Sequence, residues 1–295
     1  MWGFTVLALL TAPVQTRVAM AAAESLHVVV TGQGPAAVMV PGLFGSGFAF
    51  RALAPALTAM GYRAIVIEPL GVGRSSRPVR ADYSLTAQAN RLAAVLDTLA
   101  VADALIISHA IGTSLALRLA IARPDLVAGI VSLEGGAAEA ATTPSFRRAM
   151  ELAPFIRIGG MGLVRRQTRR HMLAASGDRS WVTDQIVRDY TDGQAADLGA
   201  ALRAYLRMAE SREPAPLAPR LGEVRCPFVL LTGTAPHASG VPDAERRLLE
   251  RSLPQFSADT VTGAGHFLLE ERPDLVIEAV RAFGALLRTL ARSAP

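Results

Sequence analysis

From Leu26 onward, short runs rich in β-branched and aliphatic residues alternate with longer stretches whose apolar residues recur three and four apart. The first kind reads LHVVV, AAVMV, RAIVIEP, ALIIS and AGIVSLE, then CPFVLLTG and SADTVTG. The second reads FRALAPALTAMG, LTAQANRLAAVLDTLA, IGTSLALRLAIARP, PDAERRLLERSL and PDLVIEAVRAFGALLRTLA. Strands that are apolar throughout need cover on both faces, and amphipathic helices between them supply it. The expected fold class is therefore α/β, a mostly parallel sheet with helices on both faces.

The alternation stops between residues 137 and 225. No comparable strand run occurs there, and the pattern is helical, with turns at RIGGMG and SGDRS and a proline-rich exit at EPAPLAP. An insertion between two strands of such a sheet lies over their carboxyl ends, where ligands bind in open α/β folds. The expected organisation is a signal peptide or N-terminal extension at 1–24, a core at 25–136 and 226–295, and a helical cap at 137–225.

Hydrophobic residues make up 51% of the 295 and charged residues 19%, which excludes a disordered chain. The net charge is +5, and every basic residue is arginine. No aromatic-interleaved basic stripe accompanies the charge, so no nucleic-acid partner is expected. The single cysteine, Cys226, excludes an internal disulfide and a cysteine-rich metal site. No metal and no cofactor are expected. The N-terminal apolar stretch is too short to cross a bilayer, and no integral membrane span is expected. With the small residues at Ala19–Met20–Ala21 it resembles an export signal cut after Ala21. No basic residue precedes the apolar stretch and Arg17 interrupts the residues after it, so an uncleaved extension on a cytoplasmic protein is the second reading. The oligomeric state is left open.

The stretch ALIISHAIGTSLALRLA passes from a strand pattern to a helix pattern through small residues. Many enzymes keep a serine nucleophile at such a turn, within G-x-S-x-G. Here the register is Ser108, His109, Ala110, Ile111, Gly112, and a methyl group stands in the nucleophile's place. Three further segments keep the same order around it: VMVPGLFGSG, EPLGVGRSSRP and GAGHFLLEERPDLV. Together the four segments resemble the α/β-hydrolase superfamily, in its capped, esterase- and epoxide-hydrolase-like form, over residues 26–288.

The resemblance implies a catalytic histidine at His266 and oxyanion amides at Leu43 and Ile111. It also implies a nucleophile at residue 110, which Ala110 cannot provide. The usual acid after the sixth core strand falls at Pro236, and Pro41 stands where a histidine commonly precedes the oxyanion glycine. Some branches place the acid at the end of the preceding strand, which here is Glu134; a carboxylate there would orient His266. The other candidates are His109 beside the turn, His237 as a compensating group in the altered acid loop, and Ser108 or Ser114 as a replacement nucleophile. Arg165, Arg166, Arg169 and Arg170 are read as a solvated helix face or, more sharply, as an attraction for anionic substrates.

Two functional readings are open. In the first, the chain hydrolyses a small, mainly apolar, ester-like carbonyl compound, with His266 as general base and no covalent serine step. In the second, it is a non-catalytic descendant that binds a small ligand or a protein partner in the old pocket. An engineered alanine knock-out is a third reading, and Pro236 argues against it because a designed knock-out changes one residue.

Overall fold

Each of those strand runs is a strand, and one more lies ahead of them. The computed structural model describes residues 12–20, 23–43, 45–140, 153–237 and 239–293, with side chains from residue 159 in the fourth stretch. The strands are β1 (Val14–Ala19), β2 (Ser25–Thr31), β3 (Ala36–Val40), β4 (Arg63–Glu68), β5 (Ala104–His109), β6 (Val127–Leu133), β7 (Phe228–Gly233) and β8 (Phe256–Val261). They form one sheet in the order β1-β2-β4-β3-β5-β6-β7-β8. β1 with β2 and β2 with β4 are antiparallel, and the remaining pairs are parallel.

Alternate residues of the central strands feed two cores. Val38, Val40, Ile65, Ile67 and Ile106 pack on one face, under α2 (Leu85–Thr98) and α3 (Gly112–Ala122). Met39, Val66, Leu105, Ile107 and Val131 pack on the other, with α1 (Leu53–Ala59) and Phe283 of the C-terminal helix. Both faces being buried is why these strands read as unbroken apolar runs. Truncating a residue such as Ile107, which is fully buried, to alanine costs on the order of 2–5 kcal/mol.

Between β6 and β7 the described regular elements are helices: α4 (Ala153–Ala175), α5 (Asp184–Ala195), α6 (Leu198–Glu210) and a short 3-10 turn. The RIGGMG stretch is a kink inside α4, where Gly160 adopts φ 60°. Thr183 and Asp197 cap α5 and α6 by accepting the N–H groups of Ile186 and Ala200. The chain then continues through α7 (Asp243–Ser252), α8 (Leu268–Glu271) and α9 (Pro273–Ser293).

β1 falls within the segment read as a leader or extension. It pairs with β2 over six positions, from Val14–Val30 to Ala19–Ser25, and only Val18 of the six is buried. Cleavage after Ala21 would remove this strand. Residues 1–11 and Ala21 itself lie outside the described residues. Among the described residues no helix is long and apolar enough to cross a membrane.

Candidate functional site

The site begins where β5 and β6 end. Ala110 follows β5 with φ 51°, and Glu134 follows β6 with φ 50°, so two non-glycine residues at neighbouring strand ends hold the left-handed conformation. Each such residue costs on the order of 1–3 kcal/mol and persists only where its surroundings impose it. Here the imposing contacts are close. A Cβ on Gly112 would lie 2.8 Å from the Val40 carbonyl, and one on Gly135 would lie 2.2 Å from the Ala110 carbonyl. Beneath the turn a buried hydroxyl chain runs from Ser108 Oγ to Thr113 Oγ1 (2.9 Å), to Ser132 Oγ (2.8 Å), and on to the Gly135 carbonyl (2.8 Å).

The turn's hydrogen bonds use the N–H of Ala110 to Leu133, of Thr113 to Ala110 and of Ser114 to Ile111. The N–H groups of Ile111 and Leu43 are not among them. The β3 loop closes on the same point, since a Cβ on Gly42 would stand 3.5 Å from that of Ala110. Glu68, at the end of β4, ties that loop to the one after β4 by accepting the N–H groups of Gly47 at 2.8 Å and Arg74 at 2.7 Å.

Neither serine beside the turn is free to replace the nucleophile. Ser108 is fully buried and bonded to Thr113, and Ser114 donates to the Ala138 carbonyl at 2.6 Å. The four arginines of α4 divide between two faces. Arg166 and Arg170 are exposed, whereas Arg165 and Arg169 are half-buried and Arg169 pairs with Asp184.

Four of the five histidines converge on the site. His109 donates from Nε2 to the main-chain carbonyl of His266 at 3.0 Å, and their rings lie 4.7 Å apart. His237 has its ring 6.4 Å from that of His266. His171, on α4, packs against Phe267 at 6.1 Å. Burial holds the His266 imidazole well below the ordinary value, and repulsion from His109, His171 and His237 adds to the shift while the Ser239 main chain opposes it. Burial lowers His109 and His171 in the same direction. Burial thus favours the neutral form of His266, in which one ring nitrogen presents a lone pair.

Glu134 is buried, and burial pushes its carboxyl above the ordinary value against the opposing pull of the Gly233 amide and His237. Oε1 accepts the Gly233 N–H at 2.5 Å. Oε2 faces His237 Nε2 at 3.5 Å and has no hydrogen-bond partner among the described residues. The Nδ1 atom of His266 has none either. The carboxylate read as the orienter of His266 thus meets His237 instead, and makes no hydrogen bond to His266. In the altered acid loop Pro236 is exposed, and the residue after it turns inward.

Glu271 and His171 were not singled out in the sequence: Glu271 is one of two adjacent glutamates in the segment of His266, and nothing local marks His171. Glu271 accepts the N–H groups of Gly177, Asp178 and Gly265, all through Oε2, and of Phe267 through Oε1. It joins the end of α4 to the loop that carries His266, whose own N–H donates to Ala175 at 2.8 Å. Aromatic rings flank this loop: Trp181 and Phe267 lie 5.1 Å apart, and Phe48 meets Tyr190 edge-on at 5.5 Å.

The family model for the alpha/beta hydrolase fold matches residues 35–186. Epoxide hydrolase B of Mycobacterium tuberculosis is 28% identical over 181 residues, which are 59% of this chain and 45% of that protein. The chain thus spans about half the length of that relative. The hydrolase YugF of Bacillus subtilis is 23% identical over 246 residues, 83% of this chain and 88% of the relative. Among solved structures, the epoxide hydrolase CorEH superposes with a TM-score of 0.75 at 20% identity, covering 94% of this chain and all of that one. At that identity the likeness concerns the fold.

Proposed function

The chain belongs to the alpha/beta hydrolase fold family, and from that premise we propose that it hydrolyses a small, mainly apolar carbonyl compound of the ester class without a covalent serine intermediate. His266 takes a proton from water, and the amides of Leu43 and Ile111 face the oxygen on which negative charge develops. The observation that carries this reading is the strained turn at Ala110, kept at φ 51° next to His109, whose ring lies 4.7 Å from that of the buried His266. A serine would gain from that strain; alanine gains only the placement of the amides around it.

General-base catalysis contributes ~10²–10⁴-fold. Oxyanion stabilisation with binding leaves ~10³–10⁴-fold over water when a triad is removed. The flanking rings of Phe48, Trp181 and Phe267, each partly exposed, suit an apolar acyl or alkyl group. The test is turnover of short-chain p-nitrophenyl esters by the native protein and by His266→Ala. Steady turnover that begins without a burst and is lost in the variant supports the reading. Equal rates in both proteins, at the level of buffer, overturn it.

A second reading rests on a separate observation: Glu134 is turned to His237 and leaves His266 Nδ1 without a partner. An unoriented base favours a protein that binds a ligand in the inherited site and does not turn it over. In that case a short-chain ester would bind and be recovered intact.

A further inference from the structure

With a neutral imidazole and an ionised carboxylate, the contact between Glu134 and His237 is a contact between two acceptors. His237 Nδ1 lies 2.7 Å from the Ala235 carbonyl, which can only accept, so Nδ1 carries a hydrogen, and in the neutral ring Nε2 then presents a lone pair. That lone pair faces the carboxylate oxygen Glu134 Oε2 at 3.5 Å. Both atoms are buried and without a hydrogen-bond partner among the described residues, and so is His266 Nδ1. The side chains of His237 and Glu134 are 8% and 1% exposed, and His266 is 7% exposed. Leaving buried polar atoms unsatisfied costs about 1–3 kcal/mol each, more where charge is involved. Three of them in one place call for a positive centre among them.

We propose that Glu134, His237 and His266 form a binding site for a divalent cation of the zinc class. One oxygen of Glu134 and one ring nitrogen of each histidine lie within 4.8 Å of one another. Ligand atoms at ~2.0–2.1 Å from a tetrahedral ion stand about 3.3 Å apart, so the Glu134–His237 pair is already near the required separation and His266 needs a small closure. Two imidazoles and a carboxylate suit a borderline ion such as Zn²⁺, and leave a fourth position open.

The surroundings fit the same purpose. The Nδ1–H of His237 is held by a main-chain carbonyl, which fixes the tautomer that points Nε2 inward, as in most metal-bound histidines. Glu134 is anchored through its other oxygen by the Gly233 N–H. Gly240 leaves space beside the donors, because a Cβ there would lie 3.0 Å from His237 Nε2 and 3.7 Å from Glu134 Oε2.

An ion held by one ring nitrogen of His266 leaves the hydrogen on the other, so the loaded site excludes the general-base role proposed above for that histidine, and the test reads binding alone. Untagged protein is stripped with a chelator and titrated with zinc ion against a chromophoric competitor, and separately with cobalt ion. We expect one equivalent of zinc bound at micromolar or tighter affinity, and visible absorption from cobalt in a low-symmetry site. His237→Ala and Glu134→Gln should each weaken zinc binding at least about tenfold. His27→Gln should leave it unchanged, since His27 pairs with Glu68 away from the site. Absence of stoichiometric binding by the native protein would overturn the proposal in favour of a shared proton between Glu134 and His237. Binding that survives both substitutions in folded variants, judged by circular dichroism, would overturn it as well.

Discussion

The carboxylate of Glu271 accepts the N–H of Gly265 at 2.9 Å, one residue ahead of His266. Because the same carboxylate also holds Phe267, Gly177 and Asp178, it fixes the main chain on both sides of His266 and ties it to the end of α4. A single buried group thereby sets where the imidazole stands.

Replacing Glu271 by glutamine keeps the shape and removes the charge that four donors share. Hydrogen bonds to a charged group contribute about 1.5–3 kcal/mol, and the amide nitrogen would face donors in place of an acceptor. We expect Glu271→Gln to lose about 3 kcal/mol of stability, read as a fall of roughly 5–10 °C in Tm. A Tm within one degree of the native value would show that these hydrogen bonds add nothing to stability.

Residue 110 tests whether the turn is still built for acyl transfer. Ala110→Ser should change the backbone little, because Gly112, Gly135 and the Ser108–Thr113–Ser132 chain impose the turn whatever side chain it carries. Loss of the nucleophile from a working triad costs on the order of 10⁶ in turnover, so even a poorly oriented base should yield a gain of about 10²-fold or more. The variant should also label with a serine-directed fluorophosphonate at residue 110, where the native protein does not. A folded variant that stays unlabelled would mean that His266 cannot take the proton.

Stability of the metal-free protein should fall as pH drops below about 6.5. His109, His171 and His266 all have lowered values in the fold, so near pH 6.5 the unfolded chain binds protons that the folded chain refuses. Stability then rises with pH through that window, by up to about 1.4 kcal/mol per pH unit for each fully refused proton. Glu134, raised by burial, acts in the opposite sense: its contribution is present below the ordinary value of 4.5 and is lost as pH rises through its raised one. Urea midpoints at pH 7.5, 6.5 and 5.5 measure the net slope, and His171→Gln should flatten it. A slope of opposite sign would show that the imidazoles are charged in the fold.

The edge strand gives a separate test. A chain beginning at Ala22 lacks β1, leaving the β2 edge unpaired over six register positions. At about 0.5–1 kcal/mol for each of a few lost ladder bonds, we expect a cost of about 3 kcal/mol, with a greater tendency to associate. Thermal unfolding and light scattering of the two chains read this directly. Equal stability would mean that β1 adds nothing to the sheet in solution.

The α/β fold and the turn at Ala110 were legible in the sequence alone. Both come from near-neighbour patterns: apolar runs such as AAVMV and ALIIS that demand burial on two faces, and small residues at 108 and 112 that let a strand pass sharply into a helix. β1 was not legible, because VQTRVA is exposed at five of its six positions and carries no apolar pattern. Nor could the side chains of the site be placed in this way. His266 was marked by its segment GAGHFLLEERPDLV, and Glu134 and His237 were candidates by position, but which of them meet is written in no one segment, and His171 and Glu271 were not singled out. The folded sheet brings the ends of β6 and β7 and the last turn of α4 to one place, and there Glu134 meets His237 and Glu271 holds His266. Such contacts depend on packing between elements and leave no local periodicity to read.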